Sequence, residues 1–213
     1  MRDVLAISSF SVAWAAAVVL CAQEAALSVS YQAGALPVLP TMAVAGGEVF
    51  MEVTVNLDGR VAAVTRLRTT PPFTNLVVDA VRQWSFTAGE GGAILVAAVI
   101  RPPALYGPTL GEPPRDVAPG PDRIPFPVAT VLPPYPPLAR ASGVVLVEAR
   151  VDRAGVVIET TVRRSAPPFD EAACAAVRQW RFRPAVAGGQ AVSSVAYVLL
   201  GFPTPVTTPP IKK

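Results

Sequence analysis

Hydrophobic and polar residues alternate twice in this chain with the period of a half-buried strand. From Glu48 to Asn56, the residues Val49, Met51, Val53 and Val55 fall on one face, because side chains two apart share a face of a strand. From Val144 to Asp152, Val145, Val147, Ala149 and Val151 do the same, with Glu148 and Arg150 opposite. Each run ends in a turn, Leu57-Asp58-Gly59-Arg60 in the first and Arg153-Ala154-Gly155 in the second. Glycine supplies the positive φ that a tight hairpin needs. Return strands are predicted over Val61–Arg68 and Val156–Arg164. The period then becomes helical. Val77, Val81 and Trp84 make one stripe, and Ala173, Ala176, Val177 and Trp180 make another. Thr74 and Asp170 are the expected helix caps. Ile94–Ile100, continuous in apolar character, and Val192–Leu200 are the expected final strands.

The two patterns are copies. Val81-Arg82-Gln83-Trp84-Ser85-Phe86 returns as Val177-Arg178-Gln179-Trp180-Arg181-Phe182, an offset of 96 residues. Gly47 and Gly143, Glu52 and Glu148, Gly59 and Gly155, and Pro71-Pro72-Phe73 and Pro167-Pro168-Phe169 keep the same offset. A fixed offset over this length marks one structural unit present twice, and its period suits two tandem domains rather than a solenoid. The expected fold class is α+β: two tandem small domains, each a three-stranded antiparallel sheet with one or two helices on one face, in the order β-β-α-β. A short extra helix is expected over Leu138–Ser142. The expected boundaries are 30–101 for the first unit, 102–127 for a Pro-rich linker, 128–203 for the second unit and 204–213 for a disordered tail. The linker is predicted to be an extended, semi-rigid spacer reaching roughly 80 Å at most, at about 3.1 Å per residue. Residues 23–34 read as a connector without strong pattern. The Trp and Phe of the repeated stretch read as core, since a Trp buries roughly 150–250 Å².

Composition narrows the chemistry. The net charge is +3, with no lysine before Lys212 and no histidine anywhere. The usual general base and the commonest metal ligand are therefore missing. Cys21 and Cys174 offer neither zinc spacing nor a disulfide framework, and Cys174 reads as a small packing residue. Ser165 and Cys174 have no base in view, and Asp152, Asp170 and Glu171 are explained by turn and cap chemistry. No catalytic, cofactor-binding or metal-binding residue is expected. The arginines at 163, 164, 178, 181 and 183 read as a solvated face rather than a nucleic-acid interface. Val4–Ala22 is apolar apart from Ser8, Ser9 and Ser11 and follows Arg2. Residues 1–24 are therefore expected to be a signal peptide or a membrane anchor, with lipidation at Cys21 the third option. The expected location is periplasmic, with inner-membrane anchoring through residues 4–22 if the segment is retained.

Pro134-Tyr135-Pro136, Ala139, Gly143, the alternating strand to Asp152, Gly155, the helix ending Val177-Arg178-Gln179-Trp180-Arg181-Phe182-Arg183-Pro184-Ala185, and Gly188-Gly189 before the last strand resemble the TonB C-terminal domain family. The resemblance covers Pro125–Phe202, and Leu36–Arg101 looks like a degraded copy. It implies a small antiparallel sheet with helices on one face. It also implies a periplasmic module that binds the N-terminal peptide of an outer-membrane TonB-dependent transporter. In the family, strand addition to the last strand carries that contact, so the implied protein-binding residues are Val192, Ser194, Val195, Ala196, Tyr197, Val198 and Leu199. Tyr135 and Pro136 are either part of that surface or a turn that anchors the following segment. Inner-membrane motor proteins and a homodimer through sheet edges are further implied partners. The spacer lies between the repeats rather than ahead of them, and family transducers carry a membrane histidine that this chain lacks. A binding or adaptor role therefore fits better than full energy transduction. An envelope scaffold with the same fold is the alternative.

Overall fold

A computed structural model describes residues 29–40, 45–89, 91–103, 120–137, 139 and 141–204. The first unit runs β1 (Tyr31–Ala33), β2 (Gly47–Val55), β3 (Val61–Arg68), α1 (Phe73–Val81), β4 (Ser85–Phe86) and β5 (Gly92–Ile100). The second runs β6 (Phe126–Ala129), β7 (Gly143–Val151), β8 (Val157–Arg164), α2 (Asp170–Val177), β9 (Arg181–Arg183), a hairpin of β10 (Ala185–Ala187) and β11 (Gln190–Val192), and β12 (Ser194–Phe202). The fold class is α+β, strand-rich with two helices.

The two units share one sheet. Its order is β3-β2-β5-β12-β7-β8, so the expected pair of separate three-stranded sheets is corrected. Within each unit the strands pair antiparallel, whereas β5 and β12 run parallel from Ala196↔Leu95 to Gly201↔Ile100. The mirrored order with a parallel join corresponds to a pseudo-twofold axis along the strands, between β5 and β12. Such a rotation keeps strand direction and exchanges the faces. Accordingly, α1 packs on one face and α2 on the other. Val49, Met51, Val53 and Val55 join Phe73, Val77, Val81 and Trp84, and the same core continues across the join to Leu146, Tyr197 and Leu199. Val145, Val147, Ala149 and Val151 join Phe169, Val177, Trp180 and Phe182, and that core reaches back to Leu95, Ala97, Val99 and Phe50. β5 and β12 are therefore covered on both faces. This is why Ile94–Ile100 is apolar at every position rather than at alternate ones.

Each unit begins with an arm that finishes the cover. Residues 29–36 lie on the α1 face. The Tyr197 hydroxyl donates to Val29 O at 2.7 Å and accepts from Tyr31 N–H at 2.9 Å. The Trp84 indole donates to Ala35 O at 2.8 Å, and the Trp180 indole donates to Val131 O at 3.1 Å, one repeat later. Val29 and Tyr31 are thus core residues, not a featureless connector. The second arm starts inside the expected linker, since Ile124 and Phe126 are buried and β6 pairs with β9. Its packed part sets in before residue 128 because an aromatic there can stack edge-on against Phe50, at 6.0 Å.

Three local expectations also change. Helix α1 ends at Val81, and Trp84 follows in the turn while remaining on the buried stripe. Thr74 and Asp170 do not cap their helices from outside. Each sits in the first turn and accepts a bond from the N–H four residues back, Thr70 at 2.9 Å and Ala166 at 2.8 Å. No helix forms among the described residues of 138–142. A single turn closes instead, with Ala139 N–H donating to Pro136 O at 3.0 Å. Residues 1–28, with the expected export segment and Cys21, lie outside the described residues, as do 104–119 and 205–213.

Candidate protein-interaction edge

The residues expected to bind a partner do not form one exposed surface. Ala196–Leu199 pair with β7 on one side and β5 on the other. The open edge expected at the last strand is therefore filled by the first unit. Ser194 and Val195 pair with Val151 and Arg150 of β7, and Val192 belongs to β11, opposite Ala185. Tyr135 donates its hydroxyl proton to Ala141 O at 2.6 Å, and its ring packs edge-on against Phe169 at 5.5 Å and Phe202 at 6.4 Å. These contacts tie Tyr135 to the segment that leads into β7.

Sheet edges remain on the outer strands. Among the described residues, no strand pairs with the far side of β3 or of β8. Strand β9 reaches the start of the β8 edge only through the bridge Val156↔Arg181, leaving the strand itself uncovered. An uncovered strand presents a row of backbone N–H and C=O groups that a further strand can complete. Register shifts flank the run from Glu159 to Val162, which pairs regularly with Val147–Arg150. Such bulges bend an edge and shorten the stretch available for pairing.

The side chains along β8 are ordered by charge. Arg163 grips Glu148 with two bonds, Nε to Oε2 at 2.7 Å and Nη2 to Oε1 at 2.9 Å. Arg150 pairs with Glu159 at 3.0 Å. The bond to Glu148 raises the Arg163 guanidinium above its usual range. Burial, and then the Glu148 carboxylate, push the Tyr197 hydroxyl well above the ordinary tyrosine value. Ile158 is a large apolar side chain left 58% exposed beside these charges. The only sequence signal for this edge was the weaker alternation of Val156–Arg164. It could not show the edge as outermost, since strand order is a tertiary property.

Among the described residues, no group of three or more His, Cys, Asp and Glu side chains could hold a metal. No helix among them is long and apolar enough to cross a membrane. What the arrangement offers is a sheet with strand edges for protein contact. The class is a small α+β protein-interaction module. Residues 131–202 match the model of the Gram-negative bacterial TonB protein C-terminal family, so the second unit is similar to a TonB C-terminal domain. That family is periplasmic, envelope-associated and devoted to protein interaction rather than catalysis. The match begins after the first unit, which repeats the layout without lying inside it. No curated protein matches the chain.

Proposed function

We propose that this protein binds an extended N-terminal segment of an outer-membrane TonB-dependent transporter by strand addition, with β8 as the receiving edge. One observation carries the choice of edge. The last strand of the TonB C-terminal domain is already completed by β5, whereas β8 belongs to the same domain and has no outer neighbour among the described residues. Backbone pairing would provide the attachment, and the charged row of β7 and β8 would select the partner's side chains. Prising β5 from β12 to free the other edge would open both cores at once. The export expected for residues 1–24 would deliver the module to the compartment where such segments are found. Motor coupling is not required for this contact.

Hydrogen exchange on the intact chain tests the proposal, with synthetic transporter N-terminal segments added in excess. The expected result is saturable protection of amides in Val157–Arg164, with β12 unchanged. Protection at β12 would move the site, and no protection anywhere would sink strand addition. The latter would favour an envelope scaffold or adaptor of the same fold, to which the filling of β12 by β5 already lends weight.

A further inference from the structure

We infer that Arg163, on the outermost strand β8, controls how firmly the N-terminal arm is fastened, through a choice of acceptor for the Tyr197 hydroxyl proton. The hydroxyl has one proton and two neighbours that can take it. One is Val29 O, which receives it at 2.7 Å. The other is the carboxylate of Glu148, directly across the ladder, since Tyr197 and Glu148 are partners in the β12–β7 register. Burial first and this carboxylate second keep the hydroxyl protonated. Arg163 decides between the two acceptors. Its bonds to Glu148, at 2.7 and 2.9 Å, satisfy that carboxylate, and the hydroxyl bonds the arm instead. With Arg163 drawn off, Glu148 is a mostly buried charge that has lost its cation, and it becomes the stronger acceptor. The proton then turns to Glu148, Val29 O loses its donor, and the arm loosens at its start.

The register slips between Val162 and Arg164, which leaves Arg163 as the extra residue of a bulge, and a bulge re-aims the side chain it carries. The next residue, Arg164, donates to Gly34 O at 3.0 Å. The arm is therefore tied to β8 twice, at Gly34 directly and at Val29 through Glu148 and Tyr197. The first unit has no such relay. Leu67 stands in the place of Arg163, and Leu95 stands opposite Glu52 as Tyr197 stands opposite Glu148. The fold itself thus does not require the relay, and the arm it governs is the one that leads back to the export segment expected over residues 1–24. That arm has little ladder of its own, only Tyr31↔Phe86 and Ala33↔Ser85, so one bond at its start matters. Arg163 can be reached because no strand lies beyond β8 among the described residues. A strand added there with a carboxylate beside Arg163 would compete with Glu148 for the guanidinium and release the arm. This trigger rests on β8 being the receiving edge, whereas the relay does not.

Hydrogen exchange of the intact protein tests the relay at the amides of Ser30, Tyr31 and Thr87, the last of which donates to Ser30 O. Arg163→Ala should speed exchange there about fivefold, the worth of one ordinary hydrogen bond, while unchanged amides in β5 and α2 establish that the variant is folded. Arg163→Lys, which keeps a cation beside Glu148, should leave the arm as it is. In a Glu148→Gln background, Arg163→Ala should have no effect on the arm, because a neutral amide does not draw the proton from Val29 O. An arm unmoved by Arg163→Ala, or loosened by it equally in the Glu148→Gln background, would overturn the inference. Synthetic transporter N-terminal segments with and without a carboxylate then test the trigger. The expected result is protection of Val157–Arg164 by both, with faster exchange at Ser30 and Tyr31 for the acidic segment alone. Protection of β8 with no change in the arm would overturn the trigger. Absence of protection at β8 would be a failure of the receiving edge alone, and the variants would still decide the relay.

Discussion

Glu52 and Glu148 occupy the same place in the two units, one repeat apart, and meet different partners. Glu148 is held by Arg163 of the neighbouring strand in its own unit, and its side chain is 12% exposed. Glu52 is more deeply buried, at 3%, and is paired with Arg123, which arrives on the arm of the other unit. The position opposite the second copy's arginine is filled in the first unit by Leu67. A carboxylate left alone in an apolar sheet is costly, so each copy has found a cation, one nearby and one across the pseudo-twofold. Units of the same layout thus acquire different electrostatics from their neighbours. The first unit depends on the second for this pair, and the second depends on the first to complete β12.

The largest test of that interdependence is removal of either repeated tryptophan. Trp180 is fully buried and Trp84 is 2% exposed. Trp180→Ala and Trp84→Ala should each cost about 3–5 kcal/mol. Because each core crosses the join, urea unfolding should remain a single transition in both variants. Two separated transitions would mean that the units are independent after all.

Next come the hairpin glycines, Gly59 with φ 79° and Gly155 with φ 78°. A methyl group at either would run into a backbone carbonyl oxygen, that of Phe86 in the first unit and that of Phe182 in the second. Gly59→Ala and Gly155→Ala should both lose at least about 2 kcal/mol by thermal or chemical denaturation. Unequal losses would show that the two hairpins, alike in backbone, differ in their freedom to relax.

The paired carboxylates give a smaller effect. Arg163→Ala should cost about 1 kcal/mol, since the arginine is partly solvated while Glu148 is mostly buried. Arg123→Ala should instead loosen the second arm, seen as faster amide exchange in β6 with little change in β8. Equal exchange in both places would remove the distinction between a local and a borrowed partner.

Tyr197 gives an effect of similar size at neutral pH, with a further small part that appears only in alkaline solution. Tyr197 is held neutral in the fold by burial and by Glu148, so its value lies above that of the unfolded chain. Its contribution is intact below about pH 10, where the unfolded tyrosine is also protonated, and declines as pH rises toward the folded value. Tyr197→Phe should lower stability at neutral pH by about 1–2 kcal/mol through loss of the bonds to Val29 and Tyr31. It should also remove this part of the alkaline slope, checked by denaturation at about pH 8 and about pH 11, on either side of the ordinary tyrosine value.

Much of the fold was legible in residues that act locally. The hairpins were read from alternation and turn glycines, the helices from their apolar stripes, and the duplication from the repeated Trp and Phe. The family was legible because its motifs lie close together in the second unit. The edge was misplaced because β12 looks in sequence like any closing strand. The neighbouring signal, Ile94–Ile100 apolar throughout, meant burial on both faces but could not name what covered the second face. Tyr31 and Phe126 were missed as core because each lies in a short arm, too short to show a period. Thr74 and Asp170 were rightly placed at helix starts, yet both bond back into the preceding loop instead of forward into the helix.

The amino-acid pattern by itself determined the repeated β-β-α-β unit, its buried faces and the second copy's likeness to the TonB C-terminal domain, because these depend on periods of a few residues. Only the tertiary structure decided that β5 and β12 lie side by side, that the helices cover opposite faces, and that β3 and β8 are outermost. Those facts depend on which apolar surfaces meet across a whole repeat of chain. Burial is non-directional, so a strand's own residues state that it must be covered, and the assembled sheet alone states by what.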